Sequence, residues 1–240
     1  MKELKNITIG YNELMSTKSI HNSNIIYQDA LKRIHNETKP LSAMHTSIHG
    51  SLIVWWLSKY KMKRSNLLEI GTFCGTNVMA IGYAMPNTSI ITIDLKSNDA
   101  RLKDFYALPA HGLETIIKNR AKINSDCYPN ISFLEMSSTM RSLPQQLFEI
   151  VWIDGDHTSF GPYNDLHYSL KVTDKNSLIM MDDVSPNDPN DATIAALRYL
   201  ESDYELNCVF IQKRRHKEKL IAAIVKGSID KVHPLKELAN

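Results

Sequence analysis

The sequence predicts an α/β domain built on a mainly parallel sheet with helices on both faces. Three observations carry this. Apolar strand-like runs alternate with helical patterns from Leu67 to Leu200. The stretch Leu67-Leu68-Glu69-Ile70-Gly71-Thr72-Phe73-Cys74-Gly75-Thr76-Asn77 sets a glycine turn between an apolar strand and a helix. The following strand, Ile90-Ile91-Thr92-Ile93, ends on the carboxylate of Asp94.

Together these form half of a nucleotide-binding βαβ unit. Gly71 and Gly75 let the backbone turn sharply and approach a ligand, and the Asp94 carboxylate can accept from both hydroxyls of a ribose. The spacing is Glu-x-Gly-x-x-x-Gly, not the G-x-G-x-x-G of a dinucleotide site, and no Lys-Ser/Thr pair marks a phosphate loop. An adenosine ligand without a pyrophosphate fits, and S-adenosylmethionine is the obvious one. The same spacing disfavours a nicotinamide-dependent oxidoreductase.

The elements follow in order. Residues 1–41 are polar and Asn-rich, with one amphipathic helix around Ile25, Ile26, Tyr27, Ala30, Leu31 and Ile34. They are expected as a surface arm, acting as a lid or a dimer contact, so a homo-oligomer is among the expected partners. Residues 42–240 are the main domain. A helix is predicted over 42–60, with His45 and His49 one turn apart on one face. No third metal ligand lies near them, so they are read as ordinary surface or pocket-wall histidines. Strands are predicted over 67–70, 89–93, 131–135, 148–153 and 177–181, and helices over 77–84, 162–171 and 191–200. Residues 96–122 are mostly helical, with a break near Pro109 and Gly112. The last strands, 204–211 and 219–225, form a hairpin at the sheet edge. Its turn, Lys213-Arg214-Arg215-His216-Lys217, is read as solvated.

Composition limits the function classes. A net charge of +2 over 240 residues implies neither nucleic acid nor an anionic membrane as partner. No apolar run is long enough for a membrane span, and the first residues lack a signal-peptide pattern. Cys74, Cys127 and Cys208 are scattered and odd in number, as expected in a reducing, cytoplasmic setting.

Chemistry-bearing residues cluster at predicted strand ends, where open parallel sheets bind ligands. Ser137, Ser138 and Thr139 follow the third strand and could reach an adenine edge or simply form a turn. Asp154 follows the fourth strand, in Asp154-Gly155-Asp156-His157, and Asp182-Asp183 follow the fifth. If those strands are neighbours, three carboxylates converge, and uncompensated carboxylates repel. A hard divalent ion, Mg²⁺ or Mn²⁺, would resolve this with oxygen ligands. It would also acidify a bound hydroxyl for methyl transfer, with His157 as general base. The bland alternatives are a turn or helix-cap cluster for Asp182-Asp183, and a turn or calcium-like loop for Asp154-Gly155-Asp156.

The segments Leu68-Glu69-Ile70-Gly71-Thr72-Phe73-Cys74-Gly75-Thr76, Ile153-Asp154-Gly155-Asp156-His157 and Met181-Asp182-Asp183 resemble the class I, metal-dependent O-methyltransferases. The branch most similar holds macrolide-sugar O-methyltransferases and cephalosporin hydroxylase-like proteins. The resemblance covers roughly 67–225. It implies a Rossmann-like, seven-stranded class I methyltransferase sheet, mostly parallel with a C-terminal antiparallel hairpin. It implies S-adenosylmethionine as cofactor and Asp154, Asp182 and Asp183 as ligands of Mg²⁺ or Mn²⁺. Glu69, Gly71, Thr72, Phe73 and Gly75 would shape the cofactor turn, with Asn77 near the methionine carboxylate and Asp94 on the ribose. Ser137, Ser138 and Asp154 would complete the cofactor pocket, and His157 would be the base. Catechol-type members carry a lysine near the position of His157 and Asp-Asn in place of Asp182-Asp183, which argues against a catechol acceptor. The expected acceptor is a sugar hydroxyl on a small-molecule natural product or a glycan. A phenolic or small hydroxylated metabolite, and a non-catalytic cofactor-binding accessory protein, are the alternatives.

Overall fold

Strands form where the apolar runs are continuous, because such runs can be buried on both faces of a sheet. The computed structural model describes residues 7–38, 48–60, 65–99, 101–102, 110–125, 127–139, 144–213 and 218–226. The chain divides into two compact units, Met1–His21 with Pro144–Asn240, and Asn22–Leu143. His45, Pro109 and residues 214–217 lie outside the described residues.

The unit Asn22–Leu143 holds most of helix α2 (Lys18–Glu37), then α3 (Ile48–Tyr60), β2 (Ser65–Ile70), α4 (Thr76–Ala84), β3 (Thr88–Asp94), α5 (Ala110–Ile123) and β4 (Ile131–Glu135). Its strands run in the order β2-β3-β4, all parallel, with Leu67 opposite Ile90 and Ile90 opposite Ile131. The expected break at Gly112 is absent, since α5 runs through it. The stripe Tyr27, Ala30, Leu31 and Ile34 of α2 is buried at helical spacing. So this stretch, expected as a surface arm, packs one face inward. Helix α3 is buried almost all round, His49 included, where a surface or pocket-wall histidine was expected.

Gly50 on α3 makes the room for Tyr27. A Cβ at Gly50 would stand 2.2 Å from the Tyr27 ring. Gly50→Ala is therefore expected to destabilise the fold by about 1–3 kcal/mol through overpacking. A lower urea midpoint with an unchanged slope is the result to look for.

The other unit holds β1 (Ile7–Ile9), α1 (Tyr11–Ser16), β5 (Ile150–Ile153), α6 (Gly161–Lys171), β6 (Leu178–Val184), α7 (Ala192–Tyr204), β7 (Leu206–Gln212) and β8 (Leu220–Lys226). Its strand order is β1-β7-β8-β6-β5. β5–β6 and β1–β7 are parallel, while β8 is antiparallel to both β6 and β7. The terminal hairpin pairs as expected, but β1, not the hairpin, forms the edge beyond β7. Strand β1 was not expected, and it brings the described strands to eight where seven were implied. Asp191 caps α7, its Oδ1 accepting from Ile194 N at 2.8 Å.

One boundary differs in a way that matters for function. The fifth predicted strand was to end before Asp182-Asp183, yet β6 runs on to Val184. Its pairing with β8 shifts register between Met181 and Val184. Within that irregularity Asp183 takes a left-handed φ of +55°. No described helix is long and apolar enough to cross a membrane.

Candidate functional site

The glycine turn in the unit Asn22–Leu143 is shaped by positive φ angles. Gly71 has φ +98°, Phe73 +49° and Gly75 +76°. Gly75 is the N-cap of α4, and a Cβ there would stand 2.4 Å from Ile123 Cδ1. Glycine is thus required by conformation and by space. The turn closes through Gly71 N donating to Ile93 O at 2.9 Å and Gly75 N donating to Thr72 O at 2.8 Å.

Beneath the turn lies a polar network. Glu69 is buried, 3% exposed. It accepts from Asn77 Nδ2 at 2.8 Å and from Thr92 Oγ1 at 2.6 Å. Thr72 Oγ1 meets Thr92 Oγ1 at 2.6 Å, and Tyr27 Oη donates to Asn77 Oδ1 at 2.9 Å. Burial, and then the charge of Glu69, push the Tyr27 phenol up, so it stays a neutral donor. Asn77, expected near the methionine carboxylate, has its side chain turned into this network.

Asp94 ends β3 as expected. Its Oδ2 accepts from Phe73 N at 2.8 Å and its Oδ1 from Leu95 N at 2.7 Å. Arg120 Nη2 reaches Oδ2 at 2.5 Å. The same guanidinium donates from Nε to Phe73 O at 2.6 Å and from Nη1 to Leu95 O at 3.0 Å. Arg120 is 2% exposed, so its charge is matched inside the fold. The sequence reading missed it, because a basic residue late in a predicted helix reads as solvent-facing. Ser137 and Ser138 are half-buried, and the Ser137 hydroxyl sits 2.9 Å from Thr139 Oγ1 in a local turn.

Asp154, Asp156, Asp182 and Asp183 lie in the other unit. Asp154 follows β5 directly, and its Oδ1 is 3.2 Å from His157 Nε2. Asp156 Oδ1 accepts from Thr158 N at 2.8 Å and Thr158 Oγ1 at 2.6 Å, so it acts as a turn residue. Burial draws the His157 pKa down. The hydrogen bond and charge of Asp154, and the charges of Asp183 and Asp182, outweigh it, and the net shift is upward.

Asp182 and Asp183 meet lysines. Lys213, just past β7, places Nζ 2.5 Å from Asp182 Oδ1 and also contacts Asp183 Oδ1. Lys219, just before β8, donates to Asp183 Oδ2 at 3.0 Å. The Lys213 side chain is 13% exposed, so the first residue of the expected solvated turn is a half-buried ion-pair partner instead. The contact to Asp182 is an ion pair without hydrogen-bond geometry, and Asp182 Oδ1 has no hydrogen-bond donor. Burial, with the charge of Asp183, raises the Asp182 pKa despite Lys213. Burial also acts to raise Asp183, but Lys213 and Lys219 prevail and hold it at about 2. The signal for these lysines lay in the pairing. β8 puts Leu220 opposite both Gln212 and Val184, which carries 213 and 219 to the Asp183 end of β6.

The resemblance implies a divalent ion on Asp154, Asp182 and Asp183. The donor set as arranged does not fit one. Among the described residues no group of three His, Cys, Asp or Glu could hold a metal. Two ammonium groups already lie against the Asp182-Asp183 oxygens.

A family model described as a methyltransferase domain matches residues 68–184. The matched span runs from the Glu69 strand to the end of β6 and so contains every expected site residue from Glu69 to Asp183, but neither Tyr27, Lys213 nor Lys219. No curated protein matches the chain.

Solved structures share the methyltransferase fold. The S-adenosylhomocysteine-bound methyltransferase PaMTH1 of Podospora anserina is 12% identical, with a TM-score of 0.56 over 91% of this chain and 97% of that one. A Klebsiella pneumoniae protein provisionally assigned as an O-methyltransferase is 17% identical, with a TM-score of 0.53 over 84% of this chain and 90% of that one. A precorrin-6y C5,15-methyltransferase from Geobacter metallireducens is 15% identical, with a TM-score of 0.52 over 80% and 95%. At these identities the likeness is one of fold, the α/β Rossmann-like methyltransferase fold. The matched segment and the shared fold are those of S-adenosylmethionine-dependent methyltransferases. The Geobacter methyltransferase is named for carbon positions, so the fold alone leaves the acceptor atom open.

Proposed function

We propose that this methyltransferase moves a methyl group from S-adenosylmethionine to a hydroxyl oxygen, on a sugar of a natural product or glycan. The observation that carries this is the His157–Asp154 pair at 3.2 Å. With Nε2–H donated to Asp154, Nδ1 is the nitrogen left to take a proton. The acceptor hydroxyl gives its proton to Nδ1 as its oxygen forms a bond to the methyl carbon. The carbon–sulfur bond breaks, and the electron pair neutralises the sulfonium. The products are a methyl ether, S-adenosylhomocysteine and an imidazolium held by Asp154.

The donor is assigned to the turn of Gly71, Thr72, Phe73 and Gly75, where Gly71, Phe73 and Gly75 take positive φ. Glu69 and Asn77 brace that turn from beneath. Asp94, Ser137, Ser138 and Asp154 are the remaining cofactor contacts proposed. The Podospora relative, bound to S-adenosylhomocysteine, supports the donor. No ion enters this reading, because the oxygens it would need are already paired with ammonium groups. The arm 1–41 is assigned no part in the chemistry beyond Tyr27.

The test is a transfer assay with radiolabelled S-adenosylmethionine against sugar alcohols, macrolide glycosides and phenols, alongside calorimetry with S-adenosylhomocysteine. Label in a sugar ether supports the reading. Label confined to phenols, to carbon or to nitrogen overturns it. Micromolar binding of S-adenosylhomocysteine without label on any acceptor would favour the accessory-protein alternative.

A further inference from the structure

Successive residues of a strand point to opposite faces, so Asp182 and Asp183 on a regular β6 could not share a partner. Here they do. The register shift between Met181 and Val184, with Asp183 at φ +55°, turns both carboxylates onto one ammonium. A non-glycine residue in the left-handed region costs about 1 kcal/mol or more, so the local geometry is bought at some expense of backbone energy. The hairpin then delivers two lysines to the same end: Lys213 follows Gln212, Lys219 precedes Leu220, and those two residues are paired. Two carboxylates meet two ammonium groups, and the formal charge closes to zero.

A magnesium ion would need oxygens at about 2.0–2.1 Å in octahedral array. The ammonium of Lys213, 2.5 Å from Asp182 Oδ1, already stands against one of those oxygens. Lys219, 3.0 Å from Asp183 Oδ2, adds a second positive charge against any incoming ion. Lys213 has three N–H groups; it donates one to Asp183 Oδ1 and stands against Asp182 Oδ1 as an ion pair.

We propose that Lys213, backed by Lys219, is the resident cation of the acidic centre, taking the place of the divalent ion. An N–H of Lys213 not donated to Asp183 holds the acceptor oxygen while His157 takes that oxygen's proton. Lys213 keeps all its protons through the reaction, and no co-reactant beyond S-adenosylmethionine is required. This rests on the hydroxyl-acceptor reading above, but its first test does not.

That test titrates Mn²⁺ into the full-length protein and follows free Mn²⁺ by electron paramagnetic resonance. The wild type is expected to take up no stoichiometric Mn²⁺ at millimolar metal. Lys213→Met/Lys219→Met, which bares the carboxylates, is expected to bind at least tenfold more tightly. Lys213→Arg, which keeps the charge, should still exclude it. One Mn²⁺ per wild-type chain at micromolar affinity overturns the proposal, whatever the acceptor proves to be. If the double variant does not fold, the wild-type titration still decides. With an acceptor in hand, transfer should be unchanged in EDTA, and Lys213→Met should lose turnover while keeping its affinity for S-adenosylhomocysteine. Transfer abolished by EDTA and restored by Mg²⁺ overturns it as well.

Discussion

Replacing His157 by alanine is expected to lower kcat by about 10²–10⁴-fold, the usual contribution of a positioned general base. Affinity for S-adenosylhomocysteine should stay as in the wild type, since His157 is not among the proposed cofactor contacts. The pH profile gives the sharper form of the prediction. Asp154 holds the imidazole proton, so the His157 pKa lies above its ordinary value. Only the neutral ring accepts a proton, so activity rises with pH and the acid limb should inflect above about 6.5. Asp154→Asn removes the charge that favours the imidazolium, and the limb should move to lower pH while the maximum rate falls through lost orientation. A kcat unaltered in His157→Ala, or an acid limb that ignores Asp154→Asn, would remove the base.

Arg120→Met should have the largest effect on stability. It leaves the Asp94 carboxylate, 7% exposed, without the guanidinium at 2.5 Å. Stranding one member of a buried pair typically costs about 3–5 kcal/mol. For a chain of this size that lowers Tm by roughly 6–20 °C. The loss should also reach the ligand, because Arg120 joins Phe73 O to Leu95 O and so holds the turn against the end of β3. Calorimetry should therefore show weaker S-adenosylhomocysteine binding at a temperature where the variant is still folded. Adding Asp94→Asn should recover part of the Tm and none of the affinity. A variant as stable as the wild type would show that the pair is worth no more than an exposed one.

The parts that were legible in the sequence are those whose causes are local. The turn from Glu69 to Asn77 announces itself through glycines next to an apolar run, and the antiparallel hairpin through its two runs and intervening turn. Asp154 and His157 are three residues apart and were read together. Three features were not legible. Strand β1 has three residues, too few for a period to register, and it exists because β7 offers an edge. Lys213 lies 30 residues beyond Asp183, and only the alignment of β6, β8 and β7 brings them together. Without that alignment the three carboxylates show no counter-charge in the sequence, and a divalent ion is the expectation that follows. Tyr27 reads as one apolar position of an amphipathic helix, and nothing near it in the chain foretells Asn77, 50 residues on.

The unit that carries the acidic centre joins residues 7–9 to residues 209–211. On a ribosome, β1 must wait for about 200 further residues before β7 exists to receive it. Asp182 and Asp183 likewise emerge about 30 residues ahead of Lys213. Until that lysine arrives, their negative charges oppose burial, so this half should complete itself only after Lys213 has been made. The glycine-turn half, assembled from contacts within 22–143, has no such wait.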